Sequence, residues 1–254
     1  MNKNMQQVLA LVVFVILVQA LYSLWILPNV RALELIALNT ETLLPRNFFV
    51  IVKDFEQQVC FVLFLWGMYL CIGKLMQISS QAYLFDVDLL SDIEDTSNDI
   101  VSTLDSIDKL PEEIKDTPLV QITSSALRRY AITGSIQNAS EAITPALESM
   151  AIKNEAELSV IKYVTWAVPS IGFLGTVRGI GQAMSQAESA VAGNIGPMTS
   201  SLGVSFNSTF VALMISVVLM MLVSYLQRTN DDQLVKVQEY CEKYLIRRIS
   251  ISRH

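Results

Sequence analysis

Residues 166–184 read WAVPSIGFLGTVRGIGQAM, and residues 202–226 read LGVSFNSTFVALMISVVLMMLVSYL. Each run approaches the ~20 apolar residues that a helix needs to cross the hydrocarbon of a bilayer. Neither run carries a carboxylate. Both carry small polar positions instead: Gly172, Gly175, Thr176, Gly179, Ser205, Asn207, Ser208 and Thr209. Small residues let membrane helices approach closely, and neutral hydroxyls cost far less in lipid than charges do. The two runs therefore predict a pair of closely packed membrane helices.

The rest of the chain agrees with a membrane protein. Of its 254 residues, 52% are hydrophobic and only 17% charged, and the mean hydropathy is +0.43. Four apolar segments stand out, at 8–27, 57–76, 159–183 and 202–226. The expected fold is all-α: an integral membrane protein with four transmembrane helices extended by cytoplasmic helices. The first segment is read as a retained helix, not a cleaved signal peptide. It is longer than a usual signal core, only Lys3 precedes it, and no small-x-small cleavage site comes after it. The second opens on Gln57 and Gln58 and closes on Lys74, which can snorkel to an interface. The expected division is an N-terminus with helix 1 over 1–27, an external loop over 28–56, helix 2 over 57–76, an acidic helical cytoplasmic region over 77–158, helix 3 over 159–183, an external loop over 184–201, helix 4 over 202–226 and a cytoplasmic helix over 227–254.

Region 77–158 holds 15 Asp or Glu against 5 Lys or Arg. Leu84, Val87, Leu90, Ile93, Ile100, Leu104, Ile107 and Leu110 recur at three- and four-residue steps, which predicts an amphipathic helix. Pro111 and Pro118 punctuate it, and Gly134 and Pro145 are expected to divide the remainder of the region into shorter helices. In the tail, Leu234, Val237, Tyr240, Cys241, Tyr244 and Leu245 form a stripe. Positive charge sets orientation: the tail 227–254 has six basic residues and the loop 184–201 none. Both termini are accordingly expected in the cytoplasm, although Arg31, Arg46 and Lys53 in the loop 28–56 oppose this.

Several functions are excluded. A net charge of −6 gives no basic surface for nucleic acid. The single histidine is His254, so there is no Ser/His/Asp set and no histidine–cysteine metal spacing. Cys60, Cys71 and Cys241 read as inert packing residues. The glycines of GFLGTVRGIG lack the lysine and following hydroxyl of a phosphate loop. No catalytic or metal-binding residue and no cofactor is expected.

As helix, Gly175, Gly179 and Ala183 form a small-xxx-small ridge, with Gly172 and Thr176 beside it. Ser205, Thr209, Ala212 and Ser216 share one face of the next helix. Packing alone explains either face; two facing helices that each carry a threonine also fit the lining of an ion path.

The segment AVPSIGFLGTVRGIGQAM with SFNSTFVALMIS after it resembles the signature helices of the MotA/TolQ/ExbB proton-channel family, over about residues 159–226. The resemblance implies an ion-driven motor subunit that forms a homopentamer around a dimer of a single-span ExbD/TolR/MotB-like partner, in a bacterial inner membrane. The partner's aspartate would take up the ion, H⁺ or Na⁺. On this resemblance Thr176 and Thr209 face the partner, Ser205 and Asn207 lie along the path, and Pro169, Gly172, Gly175 and Gly179 shape and pack the helices. The sequence departs from ExbB and TolQ relatives, which often carry a glutamate just before the last threonine, where Val204 to Asn207 are neutral. Four spans are closer to MotA. Arg178 reads either as an interfacial snorkelling residue or as an inter-subunit or gating charge. The four apolar segments contain no acidic residue, so the ion carrier is expected on another polypeptide.

Two other classes remain compatible with the residues. One is a membrane-anchored scaffold acting through its acidic cytoplasmic helices, with Arg128 and Arg129 as contact charges or plain solvated residues. The other is a small secondary transporter, against which stands the lack of an internal repeat.

Overall fold

A computed structural model describes residues 3–40, 47–85 and 97–246, and contains no strand among them. Helix α1 (Lys3–Leu21) passes through one π-helical turn (Tyr22–Ile26) into α2 (Leu27–Thr40). Next come α3 (Phe48–Ile51), α4 (Phe55–Gln81), α5 (Ser97–Asp108), α6 (Glu112–Lys115), α7 (Pro118–Thr133), α8 (Ile136–Met184), α9 (Ala187–Val191) and α10 (Gly196–Tyr240). Among the described residues four helices are long and apolar enough to cross a membrane, within Met5–Ala37, Phe55–Phe85, Ile136–Met184 and Gly196–Tyr244. The all-α membrane fold is therefore as the sequence predicts.

The helices outrun the apolar segments. Helical backbone continues from residue 27 to Thr40, within the range expected to be a loop, and α4 begins at Phe55. Apolar composition marks the stretch that suits hydrocarbon, whereas the hydrogen-bond ladder continues into polar sequence. Pro145 does not divide the region before the third span: α8 runs through it. A proline there removes one N–H donor, and buried Ile143 and Met150 on either side hold the helix in place.

The chain forms two compact units. The first comprises residues 1–72 and 160–224. Its core gathers Val18, Tyr22, Ile26, Cys60, Val164, Val168, Ala212, Ile215 and Leu219. A side chain added at Gly67 would meet Leu219 at 3.1 Å and Val164 at 3.5 Å, so α4 packs directly on α8 and α10. The indole N–H of Trp66 donates to the Gln7 carbonyl at 3.0 Å, and Gln58 donates to Gln19, which fastens α1 to α4. At the π-helical turn the buried Tyr22 hydroxyl donates to the Val52 carbonyl at 2.7 Å. The apolar stretch of the first helix is only 17% buried within the chain, leaving its outer face for lipid or a neighbour.

The second unit comprises residues 73–159 and 225–254. Its core includes Leu84, Ile100, Ile107, Leu119, Ile122, Leu127, Val237, Tyr240 and Cys241. The expected amphipathic stripes are thus buried where described, and Leu234 and Tyr244 pack against them. Val87, Leu90 and Ile93, and the side chain of Leu245, lie outside the described residues. Gly134 ends α7 with φ 63°, its N–H donating to the Tyr130 carbonyl at 2.8 Å. A left-handed cap of this kind favours glycine.

Candidate functional site

The site is built on the antiparallel contact of α8 and α10 in the first unit. A methyl group at Gly172 would lie 2.3 Å from the Ala212 Cβ, one at Gly175 2.6 Å from the Ser208 Cβ, and one at Gly179 2.1 Å from the Ser205 Cβ. None of these separations is sterically possible, so the three glycines let the two backbones touch. The small residues of both faces meet as the sequence pattern predicts. The glycines in contact are 172, 175 and 179, with Ala183 also buried.

Pro169 lies one turn before Gly172. It has no N–H to give the Thr165 carbonyl, and the Ser216 hydroxyl of α10 donates to that carbonyl at 3.5 Å. The proline thus frees an acceptor that the facing helix uses.

Close approach places two hydroxyls together. Thr176 and Thr209 are hydrogen-bonded to each other through their Oγ1 atoms. Thr209 also donates to the Gly172 carbonyl at 2.9 Å, and Thr176 lies 3.3 Å from the same oxygen. Each hydroxyl has one proton. When Thr209 donates to Gly172, Thr176 donates to Thr209 and its own lone pairs stay open to an incoming donor. Ser205 is buried and donates to the Leu202 carbonyl at 2.7 Å. Asn207 is half-buried and is not part of this network. Ser208, one of the small polar positions of the sequence pattern, is seated on Gly175 at the contact.

A charged cluster adjoins the helix contact at Gly175. Asp54 precedes α4 and its N–H donates to Gln57 Oε1 at 3.0 Å, while Gln57 Nε2 donates to the Ile51 carbonyl at 2.5 Å. The first of these bonds is one half of a helix capping box, the amide at the third helical position serving the backbone N–H that precedes the helix. It sets Glu56 in the first turn of α4, where its Cγ lies 3.3 Å from the position a Gly175 Cβ would take. Arg178 of α8 reaches Glu56 Oε2 at 2.8 Å and Asp54 Oδ1 at 3.8 Å. Lys53 pairs with Glu34 at 2.9 Å. Burial pushes the Asp54 carboxyl above the usual carboxylate range; Lys53 and Arg178 oppose that rise and Glu56 adds to it. The four apolar segments are free of carboxylates, as the sequence reads, but helix α4 outruns the second of them. The second helix begins two residues earlier than its apolar segment, and its first turn brings in Glu56. Arg178 pairs with carboxylates of its own chain.

Residues 114–239 match the model of the MotA/TolQ/ExbB proton channel family. The chain belongs to this family. The matched span reaches upstream of the helix pair to Ile114 and so takes in α7 and all of α8, well beyond the signature helices. Comparisons with curated proteins and with solved structures return no match. The α8–α10 contact thus belongs to a membrane protein of a proton-channel family, and the MotA/TolQ/ExbB match covers every residue of the contact.

Proposed function

We propose that this chain is the channel subunit of an ion-driven motor, in which protons or sodium ions pass along the Thr176–Thr209 face and their energy is delivered as mechanical work. The observation that carries the reading is the hydroxyl pair, held at a glycine-lined helix contact. Hydroxyls can relay or coordinate an ion without trapping it as a full charge would. They cannot store a proton, so a carboxylate must serve them. A homopentamer around a dimer of a single-span partner, with an aspartate early in its apolar segment, supplies that group at each α8–α10 face. Residence in a bacterial inner membrane with both termini cytoplasmic fits the six basic residues of the tail. A potential of 100 mV offers about 2.3 kcal/mol per elementary charge, so such a motor takes many small steps.

The deciding experiment co-expresses the chain with a single-span protein that carries an aspartate early in its apolar segment and measures proton uptake by proteoliposomes. Thr176→Val and Thr209→Val are expected to leave the complex assembled and cut uptake at least tenfold. Wild-type uptake in both variants would remove the assigned role.

A further inference from the structure

We infer that Glu56 is this chain's own proton-accepting group, stationed at the Gly175–Ser208 contact, one residue along each helix from the threonine pair, and held there by Arg178. The inference rests on the ion-path reading and assigns it a residue outside the family match, which begins at residue 114.

Three observations converge on the carboxylate. First, its position is built. The Asp54–Gln57 capping bonds fix the start of α4, and Gln57 is fully buried. Second, it lies at the helix contact. Glu56 Cγ and Ser208 Oγ both come within 3.3 Å of the single point that a Gly175 Cβ would occupy. Gly175 and Ser208 are the immediate neighbours of Thr176 and Thr209. Third, its bonding is incomplete. Glu56 Oε2 is buried and 2.8 Å from Arg178 Nη2, yet accepts no aligned hydrogen bond. Proton uptake at this oxygen therefore works against the Arg178 charge but breaks no aligned hydrogen bond.

The charged and titratable groups around it are Arg178 from α8, Asp54 and Lys53 from the segment before α4, Glu34 of α2 through Lys53, and Cys60 one turn along α4. The facing residue of α10, Ser208, is neutral. The step is a simple exchange. Hydronium at this end of the path breaks one O–H bond and becomes water as the carboxylate forms its own, the Arg178 pair loosens, and the carboxyl O–H bond then breaks as the proton passes to a water beside the hydroxyls, making hydronium there.

The test uses infrared difference spectra of the full chain in phospholipid vesicles, stepped between about pH 4 and pH 8. A protonated-carboxyl band that is missing in Glu56→Gln and shifted but present in Glu56→Asp is the expected result. In the proteoliposome assay Glu56→Gln is expected to lower proton uptake at least tenfold, Glu56→Asp to recover more than half, and Arg178→Gln to lose less than Glu56→Gln. No Glu56 band across that range would overturn the inference, as would equal losses in Glu56→Gln and Arg178→Gln with a matching fall in melting temperature, which would make the carboxylate a mere anchor. If the threonine variants conduct normally while the Glu56 band is present, the ion-path reading fails and the proton exchange at Glu56 stands. If the threonine variants fail while Glu56→Gln conducts normally, the reading stands and this inference falls.

Discussion

The hydroxyl of Thr209 on α10 donates to the carbonyl of Gly172 on α8 at 2.9 Å, a side-chain bond to the backbone of a different helix. It forms because a hydrogen atom stands where any other residue would place a methyl group 2.3 Å from Ala212. The same carbonyl lies within reach of Thr176, and the two threonines bond each other. Steric permission and polar chemistry therefore reside in the same few residues.

This sharing predicts coupled energetics. Thr176→Val should lower the stability of the detergent-solubilised chain by about 0.5–1.5 kcal/mol, the net worth of one hydrogen bond, and Thr209→Val, which also loses the bond to Gly172, by about 1–3 kcal/mol. Because both substitutions remove the same bond, the double variant should lose less than the sum of the singles. Denaturant unfolding of the four proteins gives the coupling; strict additivity would mean the hydroxyls do not interact.

The glycines should differ sharply from one another. Gly179→Ala would press a methyl group to 2.8 Å from the Ser205 Cα, which is backbone and cannot rotate away. The helices must separate, at a cost of about 1–3 kcal/mol or more. Gly73→Ala meets nothing within 4 Å and should change stability by less than about 1 kcal/mol, in the stabilising direction. Melting temperatures of the two purified variants make the comparison.

The legibility of the fold in the sequence depends on the physical quantity each signal reports. The glycine and hydroxyl spacing of 166–226 predicts the helix pair and brings Thr176 and Thr209 together, because a 3.6-residue period maps directly onto a helix face. Glu56 escapes notice because an apolar window starts where charges stop, at residue 57. Asp54 with Gln57 three residues later is the available signal, since an acceptor at the cap and an amide at the third helical position mark a helix start. In the sequence alone those glutamines read only as a polar edge. Pro145 misleads because it removes one N–H donor, while the burial of Ile143 and Met150 on either side, which offsets that loss, is set by the core they pack into and not by the local pattern.

The capping role of Gln57 is itself testable. Gln57→Ala removes a fully buried side chain that serves both the Asp54 N–H and the Ile51 carbonyl. Leaving those groups unpaired should cost about 2–6 kcal/mol at roughly 1–3 kcal/mol each. Gln57→Glu keeps the acceptor for Asp54 but offers Ile51 no donor when ionised, so it should recover only part of the loss. Unfolding of both variants in one detergent decides this, and equal stability of Gln57→Ala and the parent would refute the capping role.

Asp54 gives the chain a pH dependence of defined sign. Its carboxyl is raised in the folded state, chiefly by burial, so the folded chain holds that proton more readily than the unfolded chain does. Below the ordinary aspartate value of about 3.9 both states are protonated and the stabilising contribution is complete. As pH climbs past that value the unfolded chain releases the proton first, and the contribution is progressively lost until the raised folded value is passed. Asp54→Asn is neutral at every pH and lacks this contribution. The melting temperature of the parent minus that of Asp54→Asn should therefore fall as pH is raised from about 4 to about 7. The subtraction removes the opposite slope of carboxylates whose ion pairs favour the charged form. A difference that rises over the same interval would mean that the Arg178 and Lys53 charges outweigh burial at Asp54.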